Sequence, residues 1–194
     1  MNAAAIILAA GESRRMGRPK ALLPFRGGTF LSVLAGALGS YCSPVVAVFG
    51  FDGETVASAA PANVISVINP DYQLGMLTSL QTGLRALGDS LPERVLFTLV
   101  DHPAVAPETI AAVMAADADI AIPRKAGRRG HPVIVSRAIA LEYLREPATS
   151  KVRDVIDRHA GRIRYIEVED PAISDDVDDP ALYEALLARE ASRT

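Results

Sequence analysis

The segment LAAGESRRMGRPK, residues 8–20, carries residue types that bind phosphate groups. An apolar run ends at Gly11, and four cationic side chains follow within seven positions: Arg14, Arg15, Arg18 and Lys20. A glycine in a loop that leaves a strand lets backbone amides approach a phosphate, and nearby cations stabilise the bound charge. The segment has neither a GxGxxG pattern nor a GxxxxGKS/T pattern, so it predicts a third kind of phosphate loop. The alternative is a solvated basic loop.

The other charges are also clustered along the chain. The net charge is −3 and the sequence pI is about 5.6. Further cations lie at Arg124, Lys125, Arg128 and Arg129, and acids gather near the end at Asp175, Asp176, Asp178 and Asp179. An acidic chain is unsuited to gripping a nucleic-acid backbone. The pattern favours a small anionic ligand that is bound together with metal ions.

The elements that must position these residues follow from the apolar pattern. Continuous apolar runs predict strands over residues 3–10, 44–50, 64–69, 94–101, 119–123, 133–135 and 164–168. Helical spacing and caps predict helices over 29–40, from Gly75 to about 87, and over 109–116, 137–145, 149–160 and 181–191. Strands that alternate with helices in this way indicate an α/β fold with a mostly parallel, Rossmann-like sheet covered on both faces.

Ligands of such sheets bind in the crevice at the carboxyl ends of the strands. Gly11, Asn69 and Asp101 all follow predicted strands and are therefore expected at that edge.

The 194 residues fit a single domain over 1–194. Cys42 is the only cysteine and is expected to be a buried filler. The N-terminal apolar run of eight residues has no basic leader, which predicts a cytoplasmic protein.

The opening segment closely resembles the signature of a nucleotidyltransferase family. The matching positions are Leu8, Ala9, Ala10, Gly11, Ser13, Arg15, Met16, Gly17 and Lys20. The nearest resemblance is to the molybdenum cofactor cytidylyltransferases, beside the guanylyltransferases of the same cofactor. It implies a fold of the nucleotide-diphospho-sugar transferase type, in which the loop binds a nucleoside triphosphate and the lysine contacts the phosphates.

The resemblance continues along most of the chain. Asn69, Gly75, Ser79 and the pair Gly83–Leu84 follow the segment that helps to hold the nucleotide. LVDHP at 99–103 resembles the strand end whose aspartate binds magnesium, and GHPVIVS at 130–136 resembles the Gly-His-Pro segment. DVDDPALY at 176–183 resembles the family's last motif but has Asp179, Ala181 and Leu182 in place of its threonine, glutamate and aspartate.

The resemblance implies roles for individual residues. The nucleotide-binding positions are Leu8, Ala9, Ala10, Gly11, Lys20, Asn69, Gly75 and Ser79, although Ser79 has the alternative of bonding to backbone. The catalytic positions are Lys20, Arg15 and Asp101. A transferred nucleotidyl group needs cations that neutralise its growing charge without reorganising, and Lys20 with Arg15 suits that need. Arg14 and Arg18 occupy variable positions and are expected to be solvated.

Magnesium is the implied cofactor. It prefers oxygen ligands and usually takes one or two protein carboxylates beside a phosphate-bearing substrate. Asp101 and Asp178 supply such a pair, and Asp176 is the next candidate. The alternatives are that Asp101 caps the turn into Pro103 and that Asp178 acts through helix-entry electrostatics. Asp179 is expected to be the N-cap of the last helix.

The implied reaction joins CMP from CTP to molybdopterin, after which a molybdoenzyme receives the product. Ala10 and Pro19 favour the cytidyl over the guanylyl enzymes. His131 and Arg129 are the candidate acceptor-binding residues; the alternatives are a structural histidine and an exposed hairpin tip over 124–129. A phosphate monoester is already anionic near neutral pH, so neither His102 nor His131 is needed as a general base.

Three alternatives to this reaction stay open. The first is a guanylyltransferase that uses GTP, and the second is a nucleotidyltransferase that acts on a sugar phosphate or a similar acceptor. The third is a non-catalytic protein that binds and delivers a nucleotide or cofactor. The presence of Lys20, Asp101 and the acidic tail together favours an enzyme, because a binding protein has no need of paired metal ligands.

Overall fold

The computed structural model describes residues 2–89 and 91–192. The strands are β1 (Ala3–Ala9), β2 (Pro24–Phe25), β3 (Gly28–Thr29), β4 (Val45–Phe49), β5 (Ile65–Ile68), β6 (Arg94–Leu99), β7 (Ile120–Lys125), β8 (Arg128–Arg129), β9 (Val133–Ser136) and β10 (Ile163–Glu167). The α-helices are α1 (Phe30–Gly39), α2 (Gly53–Ser58), α3 (Met76–Ala86), α4 (Pro107–Met114), α5 (Arg137–Arg145), α6 (Val152–Arg158) and α7 (Pro180–Ala191). Short 3-10 helices cover Lys20–Leu22, Tyr72–Leu74, Ala160–Arg162 and Pro171–Ser174.

The central sheet has the strand order β10-β7-β9-β6-β1-β4-β5, with β8 paired to β7. β1 lies between β4 and β6 and is parallel to both. The pairs β4–β5 and β7–β10 are also parallel, whereas β9 runs antiparallel to β6 and β7. The predicted α/β fold with a mostly parallel, Rossmann-like sheet is therefore confirmed.

Both faces of the sheet are covered by helices. Alternate side chains of a strand point to opposite faces, so Ile7 packs in one apolar cluster and Ile6 in another. The first cluster includes Leu34 of α1, and the second includes Leu80 of α3. Because β1 is buried on both sides, its sequence is apolar throughout, which is the pattern that predicts it.

Most predicted elements are found within a few residues of their predicted ends, and α5 has the predicted bounds. Helix 149–160 was predicted too long, because the Lys151 amide donates to Asp154 Oδ2 at 2.8 Å and the helix begins at Val152. The strand predicted over 119–123 continues to Lys125, where it turns into β8. Helix α2 and the β2–β3 hairpin were not predicted, since each is too short for its periodicity to stand out.

Local hydrogen bonds confirm three expectations about single residues. Thr29 caps α1, because its Oγ1 accepts from the Ser32 amide at 3.1 Å. Asp179 caps α7 through a bond from the Leu182 amide to its Oδ1 at 3.0 Å. Cys42 is buried with its Sγ 3.8 Å from Met114 Sδ, and burial raises the pKa of its thiol to about 11.

None of the helices within residues 2–89 and 91–192 is long and apolar enough to cross a bilayer.

Candidate active site

A cavity of about 380 Å³ opens at the carboxyl ends of β1 and β6. Its walls come from the phosphate loop, from the turn before α3, from the end of β6 and from the tail: Leu8, Ala9, Ala10, Gly11, Glu12, Ser13, Arg14, Arg15, Pro19, Lys20, Ala21, Phe51, Val56, Tyr72, Gly75, Met76, Ser79, Leu99, Val100, Asp101 and Asp178. Leu8 and Leu99 are register partners in neighbouring strands, so the loop and Asp101 leave the sheet side by side.

The loop is folded by its own hydrogen bonds. The carbonyl of Ser13 accepts from the amides of Met16 and Gly17, both at 3.0 Å. The hydroxyl of Ser13 accepts from the Lys20 amide at 3.3 Å. Ser13 therefore ties the two ends of the turn together and fixes the point from which the Lys20 side chain projects.

Lys20 joins two carboxylates that are far apart in sequence. Its Nζ lies 2.9 Å from Asp101 Oδ2 and 2.5 Å from Asp178 Oδ1. Arg15 reaches the other oxygen of Asp178, at 2.6 Å. Burial disfavours the lysine charge, but the two aspartates outweigh it and raise the pKa of Lys20. The hydrogen bond from Lys20 in turn lowers the pKa of Asp178, so Lys20 and Asp178 are both charged at neutral pH.

Asp101 carries the feature that best fits a metal ligand. Its Oδ1 is buried and has no hydrogen-bond partner in the described part of the chain. A buried carboxylate oxygen without a partner is costly unless another group binds it. Oxygen ligands from Asp101 and Asp178 suit Mg²⁺, which commonly takes one or two protein carboxylates together with substrate phosphates. The residues present therefore fit the expected ion.

A second group of potential ligand atoms adjoins Asp101. One atom each from Asp101, His102 and Asp176 lie within 4.8 Å of one another. His102 is buried, its Nδ1 donates to the Ala172 carbonyl at 3.2 Å, and its Nε2 lies 2.9 Å from Asp176 Oδ1. Burial opposes protonation, but the bond to Asp176 and the charge of Asp101 raise the pKa of His102. His102 thus holds Asp176 rather than acting as a free base.

Asn69 lies behind the cavity rather than in its wall. It is 1% exposed, and its Nδ2 donates to Thr78 Oγ1 at 2.9 Å and to Ser79 Oγ at 3.0 Å. Its Oδ1 accepts from the Asp71 amide at 3.0 Å. The nucleotide contact expected of Asn69 stays a prediction, and the bonds that the structure shows for its polar atoms hold the turn that carries Gly75.

The cavity also has an apolar part that was not predicted. Phe51, Tyr72 and Met76 line it, and Phe51 is 49% exposed. Tyr72 packs against Gly50, where an added Cβ would lie 2.6 Å from the Tyr72 ring. Single aromatic residues in loops carry no periodic signal, so the sequence offered no means of placing them beside Lys20.

A second cavity of about 430 Å³ adjoins the first and shares Met76 and Leu99 with it. His131, Arg129 and Arg128 line it, as does Arg153, which was not predicted. The Nδ1 atom of His131 is buried without a partner among the residues that the structure describes. Burial and the nearby His102 lower the pKa of His131 to about 3, so its ring is neutral.

The predicted hairpin tip over 124–129 divides into two parts. Lys125 pairs with Arg128 across the β7–β8 hairpin, as expected for an exposed tip. Arg124 lies 2.5 Å from a carboxylate oxygen of Glu167, and Lys125 lies 3.0 Å from one of Glu169. Those two cations are therefore neutralised locally, and Arg128 and Arg129 are the cations of this segment that line the second cavity.

Comparison with known proteins places the chain in a family. Its sequence matches the MobA-like NTP transferase domain over residues 5–163. The chain belongs to this family. Molybdenum cofactor cytidylyltransferase of Escherichia coli (strain K12) is 30% identical over 178 residues, which cover 90% of each chain. As a MobA-like protein, the chain is a nucleotidyltransferase.

Two further similarities bear on the site of this MobA-like protein. Nicotine blue oxidoreductase of Paenarthrobacter nicotinovorans is 33% identical over 149 residues, or 69% of this chain and 71% of that protein. The crystal structure of Rv0371c from Mycobacterium tuberculosis H37Rv has a TM-score of 0.80 and 27% identity, covering 97% of this chain and 99% of that one. The same protein has been solved with manganese, with a TM-score of 0.73. Because a relative is named an oxidoreductase, the fold alone does not determine the reaction, which depends on the residues of the site.

Proposed function

We propose that this MobA-like protein is a magnesium-dependent cytidylyltransferase that transfers CMP from CTP to molybdopterin and releases pyrophosphate. Within one domain over residues 1–194, the N-terminal part binds the nucleotide and the C-terminal part binds the acceptor. The finished cofactor then passes to a molybdoenzyme in the cytoplasm. The observation that carries the proposal is the cluster of Lys20, Asp101 and Asp178 in the wall of the loop cavity.

The nucleotide is proposed to lie in the first cavity, with its phosphates at the loop. Backbone around Gly11 approaches the phosphates closely, and the ammonium of Lys20 is within reach of the same region. Arg15 adds a second cation on the side of Asp178. Once the nucleotide is bound, both cations stabilise charge that develops on the triphosphate without further reorganisation at the moment of reaction.

Asp101 and Asp178 are the residues proposed to hold magnesium, with Asp176 adjoining them. When bound, the ion neutralises phosphate charge and helps to orient the α-phosphorus for in-line attack. An analogous use of a divalent metal is consistent with the manganese complex of the related mycobacterial protein.

The acceptor is proposed to bind in the second cavity, because the two cavities meet at Met76 and Leu99. Arg128 and Arg129 supply positive charge for an acceptor phosphate, and the free Nδ1 of His131 supplies a hydrogen-bonding atom for its polar ring. A phosphate oxygen of the acceptor attacks the α-phosphorus of CTP, and the bond from that phosphorus to the pyrophosphate oxygen breaks. Because the attacking oxygen is already anionic, the step needs no general base.

CTP is favoured over GTP by Ala10 and Pro19 in the loop and by the similarity to the cytidylyltransferase of Escherichia coli over most of the chain. The test is a nucleotide panel with magnesium and molybdopterin, scored by pyrophosphate release. We expect release with CTP and little with GTP. Preference for GTP would favour the guanylyl alternative, and release only with a sugar phosphate would favour the second alternative. No release with any acceptor would contradict an enzymatic role.

A further inference from the structure

The two proposed metal ligands are already bridged by the protein's own cations. Lys20 Nζ lies 2.9 Å from Asp101 Oδ2 and 2.5 Å from Asp178 Oδ1. Arg15 lies 2.6 Å from Asp178 Oδ2. Three of the four carboxylate oxygens therefore accept bonds from cations. The fourth, Asp101 Oδ1, has no hydrogen-bond partner among the described residues and lies 3.9 Å from His102 Nε2. An ion bound by both aspartates must compete with Lys20 for the same oxygens.

We infer that Lys20, assisted by Arg15, occupies the metal position in the nucleotide-free protein and leaves it for the triphosphate, so that metal and nucleotide bind as a pair. Asp101 and Asp178 are metal ligands under the proposed function, and the exchange rests on that assignment. Lys20 thus has two successive partners. It bonds to the two carboxylates before the nucleotide binds and contacts phosphate afterwards.

The charges in the cluster explain why the two ligands would be coupled. Two carboxylates and two cations balance in the free protein, and the lysine side chain is only 11% exposed, so screening by water is limited. A divalent ion added alone would lie against Lys20 and Arg15 without compensation. A triphosphate supplies anions for both side chains and further oxygens for the ion. By linkage, each ligand then raises the affinity of the other by the same factor.

Titration of Mn²⁺ without nucleotide, followed by the paramagnetic resonance signal of the free ion, tests the exchange. Lys20→Met removes the competing ammonium while keeping an unbranched side chain. We expect this variant to bind Mn²⁺ more tightly than the wild type, by about 5- to 150-fold, the usual range of coupling between ligands. Arg18→Met is the matched control, because Arg18 is an exposed cation of the same loop that lies over the ring of Tyr183 rather than in the cavity wall. An unchanged or weaker affinity in Lys20→Met, or an equal gain in Arg18→Met, would overturn the inference.

A measurement on the wild type keeps the test independent of how the variant folds. The lysines of the chain are Lys20, Lys125 and Lys151, so ¹⁵N-lysine labelling gives few ammonium signals to assign. We expect Mg²⁺ alone to leave the Lys20 signal in place and Mg²⁺ with CTP to shift it. An equal shift with Mg²⁺ alone would contradict the exchange. Neither measurement uses turnover, so a failed pyrophosphate assay with a positive result here would refute the proposed reaction and not the exchange.

Discussion

At the scale of single residues, Lys20 differs from the other cations of the loop by its burial and its partners. Arg14 is paired with Glu12 at the surface, and Arg18 lies over the ring of Tyr183 at 5.7 Å from its centroid. The side chain of Lys20 instead projects into the cavity wall against Asp101. These three cations, which look equivalent in the sequence, therefore have three different environments.

Lys20→Ala is expected to lower kcat by about 10²- to 10³-fold, the range for losing one preorganised group that stabilises developing charge. The measurement is pyrophosphate release from CTP with molybdopterin and magnesium. Arg18→Ala is the control and should retain its activity, since Arg18 is exposed and lies over the ring of Tyr183 rather than in the cavity wall. A folded Lys20→Ala protein with wild-type turnover would show that the lysine has no role in phosphate transfer.

Asp178 and Asp179 are adjacent acids with different partners. Asp178 bonds to Lys20 and Arg15, whereas Asp179 accepts from the Leu182 amide at the start of α7. Asp179→Ala is expected to lower the free energy of unfolding by about 1 kcal/mol, as for other lost N-caps, and to leave Mn²⁺ binding with CTP unchanged. Asp178→Asn is expected to weaken that binding. Urea unfolding and Mn²⁺ titration of both variants separate the capping role of Asp179 from the metal-binding role of Asp178. Weaker Mn²⁺ binding in Asp179→Ala, with unchanged binding in Asp178→Asn, would contradict this assignment.

At the scale of elements, α3 lies very close to the sheet. A Cβ added at Gly83 would lie 2.7 Å from Ile6 Cγ2 and 3.0 Å from Val48 Cγ2. Gly83→Ala is therefore expected to destabilise the protein by about 1–3 kcal/mol through overpacking, despite the better helix propensity of alanine. Gly36→Ala in α1 is the control, because nothing lies within 4 Å of its added Cβ, and a gain in stability is expected there. Urea unfolding measures the change in the free energy of unfolding for both variants. Equal changes would contradict the close approach of α3 to the sheet.

Asp119 joins three elements at the amino end of β7, away from the candidate site: β7, β9 and the 3-10 helix Ala160–Arg162. It precedes β7, accepts from Ser136 Oγ of β9 at 2.9 Å, and accepts from Arg162 Nε at 2.9 Å. The bond from Ser136, assisted by that from Arg162, lowers the pKa of Asp119. The contribution of Asp119 to folding stability is therefore complete above its unfolded pKa of about 3.9. It is lost as the pH falls through the lower pKa of Asp119 in the folded protein.

The expected contribution of Asp119 is below about 1 kcal/mol, because the pair with Arg162 is partly solvated. Asp119→Asn should lower the free energy of unfolding at pH 7 and should lose less stability than the wild type between pH 5 and pH 3. The measurement is urea unfolding across that range. Asp117→Asn is the matched control, since Asp117 is exposed and two residues away. An identical acid response in the wild type and Asp119→Asn would contradict this role.

The elements also show how far the sequence predicts the fold and site. β1 and β6 were predicted because burial on both faces makes a strand continuously apolar. The reversed direction of β9 was not predicted, since apolar periodicity carries no information about strand direction. In the site, the loop pattern predicted Lys20, and the strand end LVDHP predicted Asp101. The bond of Lys20 to Asp178 joins residues 158 positions apart, and the bond of His102 to Asp176 depends on the same tail. Such long-range contacts are set by tertiary packing.

At the scale of the whole molecule, the site is complete only when the tail folds back over the sheet. The Val177 amide donates to the Asp101 carbonyl at 3.1 Å, and the His131 amide donates to the Ile173 carbonyl at 2.8 Å. These bonds bring the segment with Asp176 and Asp178 to the strand ends. The proposed metal ligands therefore come from the loop that follows β6 and from a segment that precedes α7, and their geometry depends on how closely the tail approaches.

Gly130 sets that approach, because a Cβ added there would lie 1.9 Å from the Ile173 carbonyl oxygen. Backbone cannot yield as a flexible side chain does, so Gly130→Ala is expected to displace the tail and with it Asp178. We expect weaker Mn²⁺ binding in the presence of CTP, together with lower turnover, although Gly130 lies outside the wall of the cavity proposed for Mn²⁺ and CTP. Gly161→Ala is the matched control, since nothing lies within 4 Å of its added Cβ. Mn²⁺ titration is the deciding measurement, because Gly130 lines the second cavity and turnover alone would also report acceptor binding. Wild-type Mn²⁺ affinity in Gly130→Ala would show that the tail positions its aspartates independently of this contact.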